Sequence, residues 1–464
     1  MNETSAGQAT VASVPGATSA IQDTAHTTAP NTAQDTRRRI AAIFGGSVGN
    51  LVEWYDWYVY ATFSLYFSRA FFPASDAIAR QLNTAAIFAA GFLIRPIGSW
   101  ALGRYADRYG RKSALQFSIM LMCTGSLIIA VTPTYATIGS FAAFVLVFAR
   151  LLQGFSLGGE YGTSATYLAE IATPGRRGFY SSFQYVTLIS GQLVASLVLL
   201  ILQFVLLTPE QLESWGWRIP FAIGALAAVT GLWLRRRLSE TEAFLQSKSK
   251  SREAGGIGFL LKHPREIAIV FGMTMGGTVA FYTYSAYMQK YLVTTVGMTK
   301  EQSTIISTIT LLAFVLLQPV IGALSDRIGR RPVLLAFGIL GTFGNVPLLM
   351  LISKTSDPYA VTWLILLSVI TISGYTSLSA IVKAELFPAE IRSIGVGLPS
   401  AIAISMFGGT AELVAYAFKS AGHETWFYWY VSACVGCSLI VFLMMRETSR
   451  TSVIERQRLA SESP

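Results

Sequence analysis

Charge is scarce in this chain. Only 13% of its 464 residues are Asp, Glu, Lys or Arg, about half the share of an average soluble domain. Hydrophobic residues make up 52%, and the mean hydropathy is +0.50. That balance excludes an ordinary soluble domain and points to a chain threaded repeatedly through a membrane. Cysteine is scarce too. Cys123, Cys434 and Cys437 are too few for a disulfide framework, and the C-x-x-C among them lies in an apolar run, where inert core thiols are expected. The histidines, His26, His263 and His423, fall in the tail and in loops, so no metal site is expected. There is no nucleotide-binding loop and no nucleophile–base pair, which excludes ATP-driven pumping by this chain and points away from an enzyme. No basic stretch leads into an apolar core near the start, so no cleavable signal is expected. Residues 1–36 are rich in Ala, Thr, Ser and Gln, too polar to build a core, and are read as a disordered tail.

What is present is a succession of apolar runs. A helix needs roughly 20 apolar residues to cross the hydrocarbon. Spans are expected near 40–67, 84–104, 114–132, 139–170, 179–207, 217–235, 267–293, 303–324, 333–353, 359–387, 394–419 and 426–445. Twelve spans place both termini on one side. That side holds 25 of the 35 Lys and Arg residues. The positive-inside rule therefore makes the termini and the central loop cytoplasmic. The net charge of +10 is thus topological, and a nucleic-acid partner is not expected.

The chain also repeats itself. Gly103-Arg-Tyr-Ala-Asp107-Arg108-Tyr-Gly110-Arg111-Lys112 returns as Gly322-Ala-Leu-Ser-Asp326-Arg327-Ile-Gly329-Arg330-Arg331. Glu170 with Arg177 returns as Glu385 with Arg392. Two parallel six-helix halves explain both repeats, and such halves form transporters with a site between them at the bilayer midplane. The expected organisation is a tail at 1–36, a bundle at 37–235, a central loop at 236–265, a second bundle at 266–446 and a tail at 447–464.

The repeated G-x-x-x-D-R-x-G-R-[KR] resembles the signature of the major facilitator superfamily. EWYDWYVY, FAAGFLIRPIG, ARLLQGFSLGGEYGTSATYLAE, GFYSSFQYVTLISGQL, WGWRIPFAIGA and FPAEIRSIGVG extend the likeness to the metabolite–proton symporters. AYMQKYLV, SAIVKAELFPAEIR and FGGTAE are similar to its dicarboxylate carriers. The resemblance implies an all-α membrane protein of twelve helices in two pseudo-symmetric bundles. It implies a monomer in the bacterial inner membrane, driven by protons without a cofactor. The implied substrate is a small dicarboxylate, alpha-ketoglutarate first. Citrate, shikimate or a zwitterion such as proline or betaine are alternatives within the fold. A transporter-like sensor is a further one, disfavoured by the 18 residues after Arg446.

Charges inside the spans are the site candidates, because a charge at the bilayer centre costs at least about 2.5–3.5 kcal/mol. Glu53 and Asp56, three apart, share one face of the first span, and Glu53 lies about 20 Å along it from Ile40 at 1.5 Å per residue. Burial and mutual repulsion favour a proton on such a pair, and a nearby arginine disfavours it. The pair is read as the proton carrier, with either member able to hold the proton, and Glu160 as a further pathway group. Arg150 follows an apolar run and is expected to bind a carboxylate. Arg95 lies two turns from the cytoplasmic loop and could snorkel. Lys383 lies one turn from the cytoplasmic end, close to Glu385. Lys290 is expected at the outer interface. Tyr58, Gln184, Tyr185, Tyr282 and Tyr284 are candidates to complete a polar cavity around the substrate. On the cytoplasmic side, Asp107, Arg108, Arg111, Glu170, Arg177, Asp326, Arg327, Arg330, Glu385 and Arg392 form a candidate charge latch. Gly154, Gly158 and Gly162, four apart, predict close helix contact.

Overall fold

The computed structural model describes residues 32–73, 76–109, 111–158, 160–173, 175–236 and 257–454. The chain divides by contacts into Met1–Gly45, whose described part is helical, and Gly46–Pro464, which carries everything discussed below. Most of the expected tail lies outside the described residues, but helix begins at Thr32, inside the stretch read as tail.

Each of the twelve expected spans is a helix. They are α1 Thr32–Phe71, α2 Ala77–Tyr105, α3 Arg111–Val131, α4 Phe141–Glu170, α5 Arg177–Leu206 and α6 Ile219–Arg236, then α7 Pro264–Val296, α8 Lys300–Ile328, α9 Arg330–Lys354, α10 Pro358–Leu386, α11 Arg392–Ser420 and α12 Glu424–Met444. Among the described residues, nine of these are long and apolar enough to cross a membrane by length and composition. Large apolar side chains such as Phe343 and Trp363 face outward, an apolar surface that suits lipid and not water.

The long helices break where their sequence weakens the hydrogen-bond ladder. In α2 the first segment ends at Leu93 and the second starts at Arg95, because Pro96 supplies no N–H. Arg95 therefore sits at the break. α7 contains π-turns at Thr283–Tyr287 and Leu292–Val296, and α11 one at Ile404–Gly408. Such widened turns often mark functional positions.

The packing repeats with the sequence. α5 meets α8 across the halves, and the equivalent pair α11 and α2 also meet. α4 meets α11, and its equivalent pair α10 and α5 also meet. In α10 and α7, 78% and 67% of the apolar window is buried, against 33% in α9, so the former two lie inside and α9 faces lipid.

The glycine spacing has a direct cause. A Cβ on Gly158 would lie 2.2 Å from the Arg95 carbonyl oxygen, and one on Gly154 would lie 1.9 Å from that of Gly91. Backbone thus touches backbone where α4 crosses α2. Gly162 does the same against Ser393 of α11, in the other half. Gly158→Leu is expected to lower the thermal midpoint in detergent, since overpacking costs about 1–3 kcal/mol or more. Gly103→Leu, with nothing within 4 Å of the added carbon, should leave it unchanged.

Candidate functional site

The cavity between the halves is small and lined by Trp54, Arg95, Tyr161, Tyr185, Thr278 and Tyr282 together with four apolar side chains. Its volume is about 20 Å³, room for a water and not for a dicarboxylate. Substrate therefore requires the halves to move apart.

Arg95 does not snorkel. It is 5% exposed, and its guanidinium carbon lies 3.9 Å from the Phe92 ring centre, 4.2 Å from Trp57 and 5.5 Å from Trp54. Its Nε and Nη2 meet no hydrogen-bond acceptor among the described residues. Lys383 is not held by Glu385. It is fully buried, and its ammonium lies 3.3 Å from the Tyr161 hydroxyl and 5.1 Å and 5.9 Å from the Tyr161 and Tyr375 rings. Among the described residues no carboxylate pairs with Arg95 or Lys383. One cation comes from each half. Aromatic faces stabilise such cations only in part.

Arg150 is also fully buried and does not line the cavity; its Nε and Nη2, like those of Arg95, meet no acceptor among the described residues, but its Nη1 is engaged. Its Nη1 donates to Gln153 Oε1 at 2.8 Å. Gln153 Nε2 in turn donates to Asp56 Oδ2 at 3.0 Å and to Ser126 Oγ at 2.7 Å. Ser126 also bonds both Asp56 oxygens. Asp56 thus points into the first bundle, between α3 and α4 and against α6, where a Cβ on Gly224 would lie 2.2 Å from its Oδ1. Glu53 is buried one turn earlier on α1. The Trp57 ring is shared: Arg95 lies 4.2 Å and Arg150 3.8 Å from its centre. That indole joins the cavity to the Asp56 network.

The remaining candidates separate. Tyr185 and Tyr282 line the cavity. Tyr58 is fully buried, stacked on Trp54 at 5.8 Å and tilted against Tyr282 at 6.5 Å. Gln184 accepts from Ser164 at 2.7 Å, tying α5 to α4. Tyr284 turns away and donates to Asn345 Oδ1 at 2.7 Å, inside the second bundle. The side chain of Glu160 lies outside the described residues. Lys290, expected at the outer interface, does not face outward: it is 1% exposed and bonded at 2.6 Å to Glu412, which is also buried.

At the end of the bundles that carries the repeated loops, the second copy of that loop reaches across the halves. Asp326 accepts from the amides of Gly178 and Phe179 at 2.8 and 2.9 Å, at the start of α5. A carboxylate there satisfies free N–H groups and the helix dipole. Arg330 pairs with Asp326 at 2.8 Å and approaches Glu385 at 3.9 Å. Arg392 of α11 pairs with Glu170 of α4 at 2.6 Å. So Glu170, from the first repeated Glu–Arg pair, is bonded to Arg392 of the second, across the halves. Arg177 is buried at the start of α5, and Arg327 is exposed. The first copy, with Asp107, Arg108 and Arg111, has its side chains outside the described residues. Just after α12, burial pushes the Glu447 carboxyl up, but the amides of Arg330, Arg331 and Ser449 hold it below the usual carboxylate range. Its grip on that loop is complete above the ordinary carboxylate range and is lost as pH falls through the lowered value.

Sequence reasoning missed Trp54, Trp57, Ser126, Gln153, Tyr161 and Gly224. Gln153 carried a signal, since it stands three residues after Arg150 and so shares its helix face. Ser126 and Gly224 carried none, because their role depends on which way α1 faces.

A family model described as Sugar (and other) transporter matches residues 42–258, and one described as Major Facilitator Superfamily matches residues 270–462. The chain is 51% identical to the alpha-ketoglutarate permease of Escherichia coli (strain K12), over 90% of this chain and 96% of that protein. It is 36% identical to a citrate-proton symporter of Klebsiella pneumoniae, over 82% and 85% of the two chains. It is 30% identical to a proline/betaine transporter of Escherichia coli (strain K12), over 88% and 83%. A solved proton:xylose symporter, XylE, aligns with a TM-score of 0.73 at 17% identity, covering 92% of this chain and 99% of that one, a likeness that establishes the fold alone. The chain belongs to the major facilitator superfamily.

The Lys290–Glu412 pair generates a stability test. Lys290→Met leaves a buried carboxylate unpaired and should destabilise the carrier by about 3–5 kcal/mol. The double variant Lys290→Met/Glu412→Gln should recover most of that loss in thermal unfolding.

Proposed function

We propose, from membership of this superfamily and the charges around the cavity, that the chain is a proton-coupled importer of a small dicarboxylate, alpha-ketoglutarate first. It works by alternating access, as a monomer without a cofactor, in the bacterial inner membrane with both termini cytoplasmic. The observation that carries this reading is the pair of buried cations, Arg95 and Lys383, one from each half and neither with a carboxylate partner. A dianion placed between them satisfies both at once and draws the halves together. Arg can take a carboxylate bidentately, and Lys supplies a compact charge. Tyr185 and Tyr282 line the space where the carbon chain would lie, and Tyr58 packs behind Tyr282.

Arg150 separates this reading from citrate. Its Nη1 is engaged by Gln153 and it lies beside the Asp56 network, so this reading gives the substrate two cations and not three: Arg95, which lines the cavity, and Lys383, which bonds the lining Tyr161. A zwitterion such as proline or betaine would leave one of the two unmatched. The relative named alpha-ketoglutarate permease, at 51% identity, supports the same choice.

Asp56 is the proton carrier in this reading, and Arg150 its controlling charge. A protonated Asp56 releases Arg150, and Trp57, in contact with both guanidiniums, passes the change to Arg95. Inward movement of a dianion opposes the membrane potential, at about 2.3 kcal/mol per charge per 100 mV, and accompanying protons offset that cost. Asp326, Arg330, Glu170, Arg392 and Glu385 close the cytoplasmic side, and opening inward must break their contacts.

A counterflow assay in proteoliposomes tests the substrate. Labelled alpha-ketoglutarate should exchange, unlabelled dicarboxylates should compete, citrate should compete weakly and proline not at all. Arg95→Gln and Lys383→Gln should each raise KM about ten- to a hundredfold, the worth of a hydrogen bond to a charged group. Exchange of proline but not of any dicarboxylate would refute the reading.

A further inference from the structure

Tyr161 carries a function of its own. It stands at the start of the second segment of α4, after the break at Gly158, and its ring lines the cavity. Its hydroxyl reaches into the other half, 3.3 Å from Lys383 Nζ and 3.1 Å from Ser379 Oγ, both on α10. A phenol can accept from the ammonium while donating to the serine, whereas lysine has three donors and no acceptor. The hydroxyl thus occupies the place beside Lys383 that a substrate carboxylate must take. The cavity is too tight for a dicarboxylate while Tyr161 is there.

We propose that Tyr161 is the stand-in partner of Lys383 on the substrate-free leg of the cycle and so governs the return of the unloaded carrier. This rests on the dicarboxylate reading given above. On the loaded leg, a substrate carboxylate displaces the hydroxyl and neutralises Lys383. On the unloaded leg, the same ammonium must pass through a closed, water-poor arrangement with no carboxylate beside it. A buried ammonium without a partner is costly, and that cost falls on the return step alone. Tyr161 lowers it by one charge-assisted hydrogen bond and one aromatic face, and it brings the halves together through the same contact. The bond crosses the halves, so it forms only when they close.

Exchange and net uptake separate the two legs. Counterflow uses only loaded crossings, while net uptake driven by a pH gradient needs the unloaded return. Both are measured in proteoliposomes with labelled alpha-ketoglutarate, for the intact carrier, Tyr161→Phe and Ser379→Ala. Tyr161→Phe should reduce net uptake about tenfold or more, the worth of a hydrogen bond to a charged group, and leave counterflow intact. The symporter becomes an exchanger. Ser379→Ala, which only loosens the hydroxyl, should act in the same direction and more weakly. An equal fall in counterflow and uptake in Tyr161→Phe, including one caused by failure to fold, makes Tyr161 a structural or substrate contact and overturns the proposal. So does a variant in which neither rate changes. An intact carrier that does not exchange alpha-ketoglutarate at all overturns the substrate reading instead, and this proposal with it.

Discussion

Two positive charges, one from each half, buried without carboxylates beside the cavity between the halves are the constraint on which the rest of the molecule turns. Arg95 and Lys383 are both nearly or fully out of contact with solvent, and the groups around them are rings and hydroxyls. Aromatic faces and one phenol are weak compensation for a full charge in a medium of low dielectric. A protein that retains such a cost in both halves is built for an anion that arrives from outside. The aromatic cluster of Trp54, Trp57 and Phe92 makes the wait tolerable without making it comfortable. A permanent carboxylate partner would be more stable, and it would leave the carrier with nothing to bind.

The fold delivers these charges through defects in its helices. Pro96 interrupts α2 and leaves Arg95 at the break. Gly154 and Gly158 let α4 cross α2 backbone to backbone, which brings Arg150 and Arg95 onto the same indole. Gly162 then lets the continuation of α4 meet α11 across the halves. The Lys290–Glu412 pair shows the contrasting solution, a buried cation with a permanent partner inside one half. The difference between a paired and an unpaired buried lysine is a physical criterion for assigning a role, and it needs the structure.

The spans, the two halves and the family were legible in the sequence because they are written locally, in apolar runs, basic loops and a repeated decapeptide. The candidate charges were legible for the same reason, since any charge in an apolar run stands out. Their surroundings were not. Arg95 and Lys383 lie one or two turns from a helix end, which for Arg95 suggested snorkelling and for Lys383 a place close to Glu385. Depth along a helix does not give exposure, however, and tertiary packing encloses both. Lys290, expected at the outer interface, is enclosed by packing in the same way. Asp56 was read as a proton carrier near an arginine, but nothing in its own span says that it points into the first bundle toward Ser126 and Gly224. Helix periodicity says which residues share a face, and only packing says what that face meets. Tyr284 illustrates the point again, two residues from Tyr282 and turned into the second bundle.

The central claim is that Asp56 couples protons to a dianion held by Arg95 and Lys383 while binding itself does not need that proton site. The most direct measurement compares Asp56→Asn with the intact carrier in proteoliposomes, following labelled alpha-ketoglutarate under an imposed pH gradient and in counterflow without one. The account predicts that Asp56→Asn continues to exchange substrate but no longer accumulates it in response to the gradient. Gradient-driven accumulation at the intact rate in Asp56→Asn would contradict it.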